Sequence, residues 1–404
     1  MAVFVARKGM NIKVKKRTAA LTVVIAVILT AIITSAVKDI LYFAGMGTLP
    51  SKMTAVSKML KDYCIYDVDE KKMNDYALIG MTAASGDPYT SYYPKDEFSA
   101  YKDSVSVSYV GIGAMLGVDP ENNQLVVISP MEDSPAEKAG LKSGDVIKEI
   151  DGTPYTAVQL SEAATYLKTG DEGTSVLLKV ERGGNEQEIT VTRQKIIKIS
   201  VKSKMLSNNT GYIRITGFER DINGGSKNTY EEFCEHLEAL KTAGMSSLVI
   251  DLRDNPGGDF ELVCKIADKL LPEGLITYTV DKKGTRKDEK SDAECLDMPM
   301  VVLINGGSAS ASEILTGALK DNNKATVIGT KSYGKGIVQS VFSFIDGSGM
   351  SVTTAKYYTP NGVCIQGIGI EPDIEVFQSS EKAISELEPT EDMQLKKALE
   401  TLWR

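Results

Sequence analysis

Short apolar runs that alternate with helical segments between residues 200 and 380 constrain the fold of this chain most strongly. Strands are predicted at Gly211–Thr216, Ser247–Leu252 and Met300–Ile304, and helices at Glu231–Ala243, Asp259–Leu271 and Ser310–Leu319. Strands that alternate with helices in this way belong to a mainly parallel sheet with the helices packed against it. The sequence therefore predicts an α/β core over 196–380.

The region 104–195 has a different pattern, in which short β runs are separated by turns. Strands are predicted at Ala114–Val118, Gln124–Ile128, Asp145–Glu149, Ser175–Val180 and Gln187–Val191. One helix, Leu160–Leu167, fits between them. Strands at this spacing, with turn residues between them, predict a separate and small β-rich domain.

Helical segments are predicted on both sides of these two domains, at 39–103 and 381–404. The first has apolar residues near helical spacing and ends at the turn Gly86–Pro88. Its apolar stripe consists of Met53, Val56, Met59, Leu60 and Tyr63. The stripes of both segments fit either a homodimer or packing within one chain, and the sequence leaves both open.

An uncharged run of twenty residues, Thr18–Val37, lies near the N-terminus. As a helix it would be long enough for the roughly 30 Å hydrocarbon core of a bilayer. Six basic residues and no acidic residue lie in 1–17, and the positive-inside rule keeps such a flank in the cytoplasm. We expect a cytoplasmic stub at 1–17, a single transmembrane anchor at 18–37 and an extracytoplasmic body. A signal peptide cleaved near Thr34–Ala36 is the alternative, and the length of the run favours the anchor.

The composition excludes several kinds of site. His236 is the single histidine, so a histidine-dependent hydrolase would have to use it, and a multi-histidine metal site is excluded. Five scattered cysteines without a CxxC pair disfavour a zinc site and a disulfide scaffold. Outside 1–17 the chain has 40 basic and 54 acidic residues, which disfavours nucleic acid as a partner.

The run Gly329–Gly336 matches G-x-x-x-x-G-K but does not predict a nucleotide site. Gly336 stands where a P-loop needs serine or threonine for magnesium, and Ile337–Phe344 reads as a strand, not as the required helix. We expect no metal and no cofactor.

A glycine turn at Gly111, Ile112, Gly113 and Ala114 leads into the first strand of the β-rich domain. Successive backbone N–H groups in such a turn can capture a C-terminal carboxylate, while the strand edge adds the peptide as a further strand. The stretches Ser134–Ile147 and Ile150–Gly152 follow it and resemble the PDZ pattern. These residues predict a PDZ domain that binds protein C-termini.

The centre of chemistry is predicted at the segment SASASEI between a strand and a helix, where the three serines Ser308, Ser310 and Ser312 alternate with alanine. Ser310 and Glu313 also fit a capping box, which is a common helix start without catalysis. Three features favour catalysis: small neighbours leave room for a peptide, the helix N-terminus offers free N–H groups, and the glycine turn in Asp251–Gly258 follows a neighbouring strand.

A serine nucleophile needs a base. His236, flanked by Glu235 and Glu238, reads as a helix-surface residue. A lysine can serve if burial lowers its pKa enough to leave it neutral. Lys331 and Lys335 both lie on the glycine-rich turn after Ala325–Gly329, and spacing alone does not choose between them.

Taken together, the motifs resemble the carboxyl-terminal processing peptidases, exported or membrane-anchored serine proteases with a PDZ domain. The motifs are SASASEI, SYGKGIVQS, DLRDNPGG, GYIRITGF, TTAKYYTPNG and, before the PDZ domain, DPYTSY at 87–92. This resemblance implies an α/β protease core with a crotonase/Clp-like mixed sheet and helices, beside the PDZ domain. It also implies that the substrates are proteins or peptides with accessible C-terminal tails.

The resemblance further implies a role for each matching residue. Ser310 is the nucleophile, Lys335 the general base and Gln339 the residue that orients this lysine. The N–H groups of Ala311 and of Gly257 or Gly258 form the oxyanion hole, and Asp321 matches an acidic position with a structural role. The chain departs from the family at Thr169, where many members have arginine. If that arginine couples tail binding to activation, this chain either lacks the coupling or assigns it to Lys168.

Three other functions compete with this interpretation. In a catalytically silent PDZ scaffold in the cell envelope, the serine and the lysine would have no catalytic role. A crotonase-like acyl-CoA enzyme shares the α/β core and an oxyanion hole, but neither the export signal nor a peptide-binding module suits its substrate. A protease with a histidine triad would depend on His236.

Overall fold

The computed structural model describes residues 16–43, 48–119, 121–131, 133–222, 224–379, 382, 384, 387 and 390–403. The chain divides into two compact units, 1–80 and 81–404. The basic stub expected at 1–17 lies outside the described residues except for its last two positions.

The first unit is helical. It contains α1 (Lys16–Phe43), α2 (Leu49–Tyr63) and most of α3 (Glu70–Ala83). The predicted anchor segment lies within α1, and its side chains from 21 to 37 are exposed. Among the described residues, no helix combines the length and the hydropathy that a membrane crossing requires. The apolar stripe of α2 is largely exposed, with Val56 and Tyr63 more than half accessible.

The predicted β-rich domain forms in the second unit. Residues 91–197 contain β1 (Ser91–Tyr93), α4 (Lys95–Ser104), β2 (Ser108–Gly111), β3 (Ala114–Asp119), β4 (Gln124–Pro130), α5 (Pro135–Lys138), β5 (Val146–Ile150), β6 (Thr153–Pro154), α6 (Leu160–Lys168), β7 (Ser175–Arg182), β8 (Asn185–Thr192) and β9 (Gln194–Ile197). The main sheet is antiparallel in the order β3-β4-β5-β7-β8, and β2 pairs with β9. Every strand predicted for this domain is confirmed, and β3 lies at the edge of the sheet.

The α/β core follows. It contains β10 (Val201–Leu206), β11 (Thr210–Ile215), α7 (Thr229–Thr242), β12 (Ser247–Asp251), α8 (Phe260–Leu270), β13 (Gly274–Asp281), β14 (Arg286–Ser291), β15 (Met300–Ile304), α9 (Ala311–Asp321), β16 (Ala325–Gly329), β17 (Ile337–Ser343), β18 (Gly349–Tyr358), β19 (Ile374–Glu375) and α10 (Met393–Leu402). One sheet has the order β10-β11-β12-β15-β16-β19. Its strands from β11 to β19 are parallel and β10 is antiparallel, so the predicted mainly parallel sheet is confirmed.

A second sheet, which the sequence did not predict, is antiparallel. Its strands lie in the order β1-β18-β13-β14, with β17 also paired to β18. The three-residue strand β1 pairs with β18 in the register Ser91↔Ser351. A strand of three residues is too short to show a periodic pattern, and its partner lies 260 residues away in the chain. Its pairing brings the segment 87–90 to the edge of the α/β core.

The C-terminal helix α10 packs on the core sheet of its own chain. Leu395 and Ala398 are buried against Val249, Val301 and Leu303 on the core sheet. Leu399 and Leu402 pack against the same cluster, whereas Met393 and Trp403 are exposed, so the apolar stripe of this helix is covered only in part within the chain. The cap of α10 is Asp392, which accepts a hydrogen bond from the Leu395 N–H at 2.9 Å.

A buried ion-pair network joins α10 to the turn after β12. The guanidinium of Arg253 has no exposed surface and donates to both Asp251 and Asp392, with N–O distances of 2.6 to 2.9 Å. Tyr212 donates a further bond to Asp251 at 2.6 Å. Buried charges are tolerated only when paired and fully hydrogen-bonded, and this network meets that condition. It fixes the start of the Asp251–Gly258 turn on the sheet.

Candidate active site

Ser310 lies at the sharp turn between β15 and α9, with φ +55° and ψ −115°. A non-glycine residue rarely adopts a positive φ, and such strain persists only where the surroundings hold it. The neighbouring serines have structural partners: Ser308 donates to the Leu252 carbonyl at 2.8 Å and Ser312 to the Asn255 carbonyl at 2.9 Å. Both are fully buried, so of the three serines it is Ser310 that reaches a cavity.

Asn255 holds the glycine turn against this serine turn. Its Nδ2 donates to the Ile215 carbonyl at 2.9 Å, and its Oδ1 accepts from the Gly257 N–H at 2.9 Å. The Asn255 carbonyl also accepts from the Ala309 N–H at 3.0 Å. This one side chain and its peptide groups therefore lock strand β11, the glycine turn and the serine turn together.

The structure separates the two glycines proposed for the oxyanion hole. The Gly257 N–H is occupied by Asn255, whereas within the described residues no acceptor takes the N–H of Gly258 or of Ala311. Gly258 forms a parallel bridge with Phe218, a geometry that turns its own N–H away from that strand. A Cβ on Gly258 would lie 2.3 Å from the Phe218 carbonyl oxygen, so the position requires glycine. Of the three candidate oxyanion donors, Gly258 and Ala311 are therefore the two whose N–H groups no described residue occupies.

Glu313 connects the serine turn to the lysine loop. Its carboxylate is buried, with 1% of the residue exposed, and accepts four hydrogen bonds. Oε2 accepts from the N–H groups of Ser310 (2.8 Å) and Lys335 (2.9 Å). Oε1 accepts from Ser332 Oγ (2.6 Å) and the Gly334 N–H (2.7 Å). Sequence reasoning recognised only the cap at Ser310, because the other three donors lie about twenty residues later.

Tyr357 makes a second connection between the same two segments. Its Oη lies 3.0 Å from the Ser310 carbonyl oxygen and 2.5 Å from the Lys335 carbonyl oxygen. Burial raises the pKa of Tyr357 well above its ordinary value, so it remains a hydrogen-bond donor. The residue lies within the TTAKYYTPNG motif, but nothing in the sequence pattern distinguishes it from Tyr358.

The side chain of Lys335 lies half-buried beside residues of the segment 87–90. Its Nζ is 4.6 Å from the centroid of the Tyr89 ring. Burial lowers the pKa of Lys335, and the nearby Asp87 carboxylate opposes this by favouring the charged form. Within the described residues no hydrogen bond joins Lys335 Nζ to Ser310 Oγ, so the two groups share a cavity without direct engagement.

The structure gives different surroundings to three other residues singled out in the sequence, Gln339, Lys331 and Asp321. Gln339 also lines the cavity, but its Nε2 lies 3.5 Å from Thr353 Oγ1 and makes no hydrogen bond to Lys335 within the described residues. Lys331 pairs with Glu371 at 2.7 Å on an exposed surface, so of these two lysines it is Lys335 that lines the cavity. Asp321 accepts from the Asn361 N–H at 2.9 Å and holds the turn after β18 to the end of α9.

His236 lies on α7, outside the set of residues that line the cavity. Its Nδ1 is 2.7 Å from Ser203 Oγ on β10. The only histidine of the chain therefore has a structural partner away from Ser310, as its helix-surface pattern predicts.

The cavity has a volume of about 730 Å³. Its predicted catalytic and oxyanion residues are Ser310, Ala311, Gly257, Gly258, Lys335 and Gln339, and its apolar walls include Phe218, Ile222, Ile314, Val338 and Val341. The last turn of α4 and Val105 line one side, so the chain entering the β-rich domain borders the cavity. The arrangement combines a strained serine, free N–H donors and a half-buried lysine in one apolar space that fits a peptide.

The glycine turn of the β-rich domain is tightly built. Ile112 is buried and its carbonyl accepts from the Ala136 N–H at 2.8 Å. Gly113 has φ +72°, and a Cβ there would lie 2.5 Å from Ser134 Cβ. The turn leads into Ala114, the first residue of the edge strand β3, which runs beside α6. An open strand edge beside a helix is the arrangement that β-strand addition of a peptide needs.

Comparison with known families identifies both domains. The model for peptidase family S41 matches residues 209–376, and the model for the PDZ domain matches residues 113–192. The carboxyl-terminal-processing protease of Synechocystis is 38% identical over 334 residues, which cover 81% of this chain and 76% of that protein. The chain belongs to the S41 family of carboxyl-terminal processing serine peptidases.

Other similar proteins support the same family assignment. A probable CtpA-like serine protease of Staphylococcus aureus is 38% identical over 81% of this chain, which spans 64% of that relative's length. Among solved structures, a photosystem II D1 C-terminal processing protease is 29% identical, covers 80% of this chain and 87% of its own, and has a TM-score of 0.50. A putative S41 protease from Bacteroides fragilis, at 18% identity and a TM-score of 0.53, shares the fold. The chain therefore has the S41 protease fold with a PDZ domain.

Proposed function

We propose that this S41 peptidase hydrolyses peptide bonds with Ser310 as nucleophile and Lys335 as general base. The observation that carries the proposal is the single cavity that holds both side chains together with the free N–H groups of Gly258 and Ala311. A lysine acts as a base only when neutral, and burial lowers the pKa of Lys335 in that direction.

The reaction follows from these positions. Lys335 takes the proton of Ser310 Oγ as this oxygen attacks a backbone carbonyl carbon of the substrate. The oxyanion that forms accepts hydrogen bonds from Gly258 and Ala311, which face the cavity without other partners. Protonated Lys335 then gives its proton to the departing amine, and the same lysine deprotonates the water that hydrolyses the acyl-enzyme.

The sharpest test is labelling with a serine-reactive fluorophosphonate, followed by peptide mass mapping. We expect one adduct, at Ser310, in the wild type and none in Ser310→Ala, while thermal melting shows that the variant remains folded. An adduct at another serine, or a wild type that is fully resistant while it cleaves an unfolded protein, would contradict the assignment.

We propose that the PDZ domain captures the C-terminal carboxylate of the substrate at Gly111–Ala114 and adds the tail to the edge of β3. The open edge of β3 and the glycine turn before it support this role. Titration of the full chain with a fluorescent peptide tests it. Tighter binding of the free carboxyl terminus than of its amide is expected, and equal affinity would refute carboxylate capture.

A catalytically silent PDZ scaffold is the competing function. It predicts tail binding without cleavage and without any fluorophosphonate adduct. The strained backbone of Ser310 and its position at the cavity favour the peptidase, because a serine that only capped α9 would have no need of a positive φ.

We further propose that 18–37 anchors the peptidase in the cell membrane, with the catalytic body outside the cytoplasm. The uncharged run and the basic residues before it support this location. Alkaline carbonate extraction tests it, with a variant that begins at residue 48 as the control. The full chain should stay with the membranes and the shortened chain should be released; release of both would refute the anchor.

The exposed stripe of α2 supports a homodimer as the remaining partner proposal. The mass of the chain in detergent, measured by light scattering, should fall from dimer to monomer in Val56→Glu. An unchanged mass would refute pairing through this stripe.

A further inference from the structure

The side chain of Lys335 rests on an aromatic ring rather than on the serine. Its Nζ lies 4.6 Å from the centroid of Tyr89, within the range of a cation–π interaction. Tyr89 itself belongs to a segment more than two hundred residues earlier in the chain. The ring comes from outside both turns that carry the proposed catalytic residues.

Hydrogen bonds within the segment 87–90 and between this segment and β18 hold the Tyr89 ring in place. Thr90 Oγ1 donates to Asp87 Oδ2 at 2.6 Å and accepts from the Thr353 N–H at 3.1 Å. Ser351 Oγ donates to the Tyr89 carbonyl at 3.3 Å. These bonds fix the segment 87–90 on β18, next to the strand β17 that follows Lys335. The position of the ring is therefore set by the second sheet.

An aromatic face attracts an ammonium group and not a neutral amine. Burial and the hydrogen bond to Tyr333 raise the pKa of Tyr89, so the ring acts as a neutral phenol and not as a counter-ion. The charged group that acts on the Lys335 side chain is Asp87, and the ring beside it is Tyr89. Glu313 from α9 and Tyr357 from β18 contact the backbone of Lys335, through its N–H and its carbonyl, and Tyr333 from the same loop bonds to Tyr89. Asp87 and the Tyr89 ring both favour the protonated side chain.

We propose that Tyr89 is a positioning residue that holds Lys335 as a resting ammonium on its ring face, apart from Ser310 Oγ. Lys335 must lose its proton and leave the ring before it takes the proton of Ser310. The ring thereby sets the pH at which the serine becomes a nucleophile. This inference rests on the proposed Ser310 and Lys335 mechanism.

The test is the pH dependence of the second-order rate constant for fluorophosphonate labelling of the full chain. The wild type should show a rise with pH as Lys335 becomes neutral. In Tyr89→Leu, which keeps the bulk but loses the π face, the midpoint of this rise should fall by about 0.5–1 pH unit. At pH values below the midpoint, labelling should be about 3–10 times faster. Tyr89→Phe keeps the ring and should keep the wild-type midpoint.

Each outcome decides the inference. An unchanged or higher midpoint in Tyr89→Leu overturns it, and so does an equal fall in Tyr89→Phe, because the hydroxyl would then be the cause. Tyr89→Met replaces Tyr89→Leu if the latter is not folded by circular dichroism. Lys335→Ala, measured in parallel, separates the two proposals: wild-type labelling in that variant would refute the Ser310 and Lys335 mechanism itself, whereas loss of labelling with no change in Tyr89→Leu would refute the role of Tyr89 alone.

Discussion

The two halves of the candidate site are built differently. The nucleophile half, Ser310 with Ala311 and Gly258, lies on two turns that follow neighbouring parallel strands, and Asn255 locks these turns together. The base half, Lys335, lies on a loop whose surroundings come from distant segments, with Tyr89 before the PDZ domain and Tyr357 on β18. In the first half, the proposed donors Gly258 and Ala311 line the cavity together with Ser310. In the second half, Lys335 Nζ lies over the Tyr89 ring and makes no hydrogen bond to Ser310 Oγ within the described residues, so in our proposal the base is the part that moves.

Gly258→Ala should break the nucleophile half, and a large effect is expected. The added Cβ would lie 2.3 Å from the Phe218 carbonyl oxygen and would displace the proposed oxyanion donor. We expect kcat for peptide cleavage to fall by about 10²–10³-fold. Gly306→Ala is the matched control, because a Cβ there meets no atom within 4 Å, and its kcat should stay near that of the wild type. Similar losses of kcat in both variants would show that any added side chain near the site is harmful, and that loss of the Gly258 N–H donor is not the reason for the fall.

Glu313→Gln should loosen the connection between the halves. The amide group would face two of the four donors that the carboxylate now satisfies, and we expect the free energy of unfolding to fall by about 2–5 kcal/mol. Urea denaturation measures this value. Glu371→Gln, which removes an exposed pair with Lys331, should change it by less than about 1 kcal/mol. A loss of less than about 1 kcal/mol in Glu313→Gln would contradict the role of this carboxylate as the link between the two halves.

Tyr357→Phe should affect the alignment of the halves more than their stability. The hydroxyl lies within hydrogen-bond distance of the Ser310 and Lys335 carbonyl oxygens, and its removal should lower kcat by about tenfold. The value of KM should change little, because the hydroxyl faces the protein backbone. A change confined to KM would argue against an alignment role.

Asp87→Asn should change the protonation of Lys335 in the base half, and this is the smallest of the expected effects. The Asp87 carboxylate favours protonated Lys335, so its removal should lower the pKa of this lysine further. Cleavage requires the neutral amine, so kcat/KM rises as the pH rises through this pKa. The acidic limb of the kcat/KM profile should therefore move to lower pH. A move to higher pH would contradict the electrostatic account.

The same contrast explains how far the sequence could predict this molecule. The parallel sheet and the PDZ strands follow from local signals, since each strand carries its own apolar run and turn residues. The cap at Ser310 alone favours a helix start, and the choice of Ser310 as nucleophile comes from its neighbours and the family resemblance. The antiparallel sheet that places Tyr89 beside Lys335 and Tyr357 at the cavity depends on pairings such as Ser91↔Ser351, between residues far apart in the sequence. Spacing leaves Lys331 and Lys335 open and the resemblance chooses Lys335, because the difference between them is burial and partners. The roles of Glu313 and Tyr357 arise from contacts that only the folded chain creates.

The central claim is that a lysine, and not the single histidine, is the base for Ser310. The direct measurement is kcat/KM for cleavage of an unfolded protein with a free C-terminal tail by Lys335→Ala and His236→Ala, side by side. His236 bonds to Ser203 on β10, outside the residues that line the cavity, so His236→Ala should retain wild-type activity. Lys335→Ala should lose it by about 10⁴-fold or more while the fold persists. Substantial cleavage by Lys335→Ala, or its loss in a folded His236→Ala, would contradict the account.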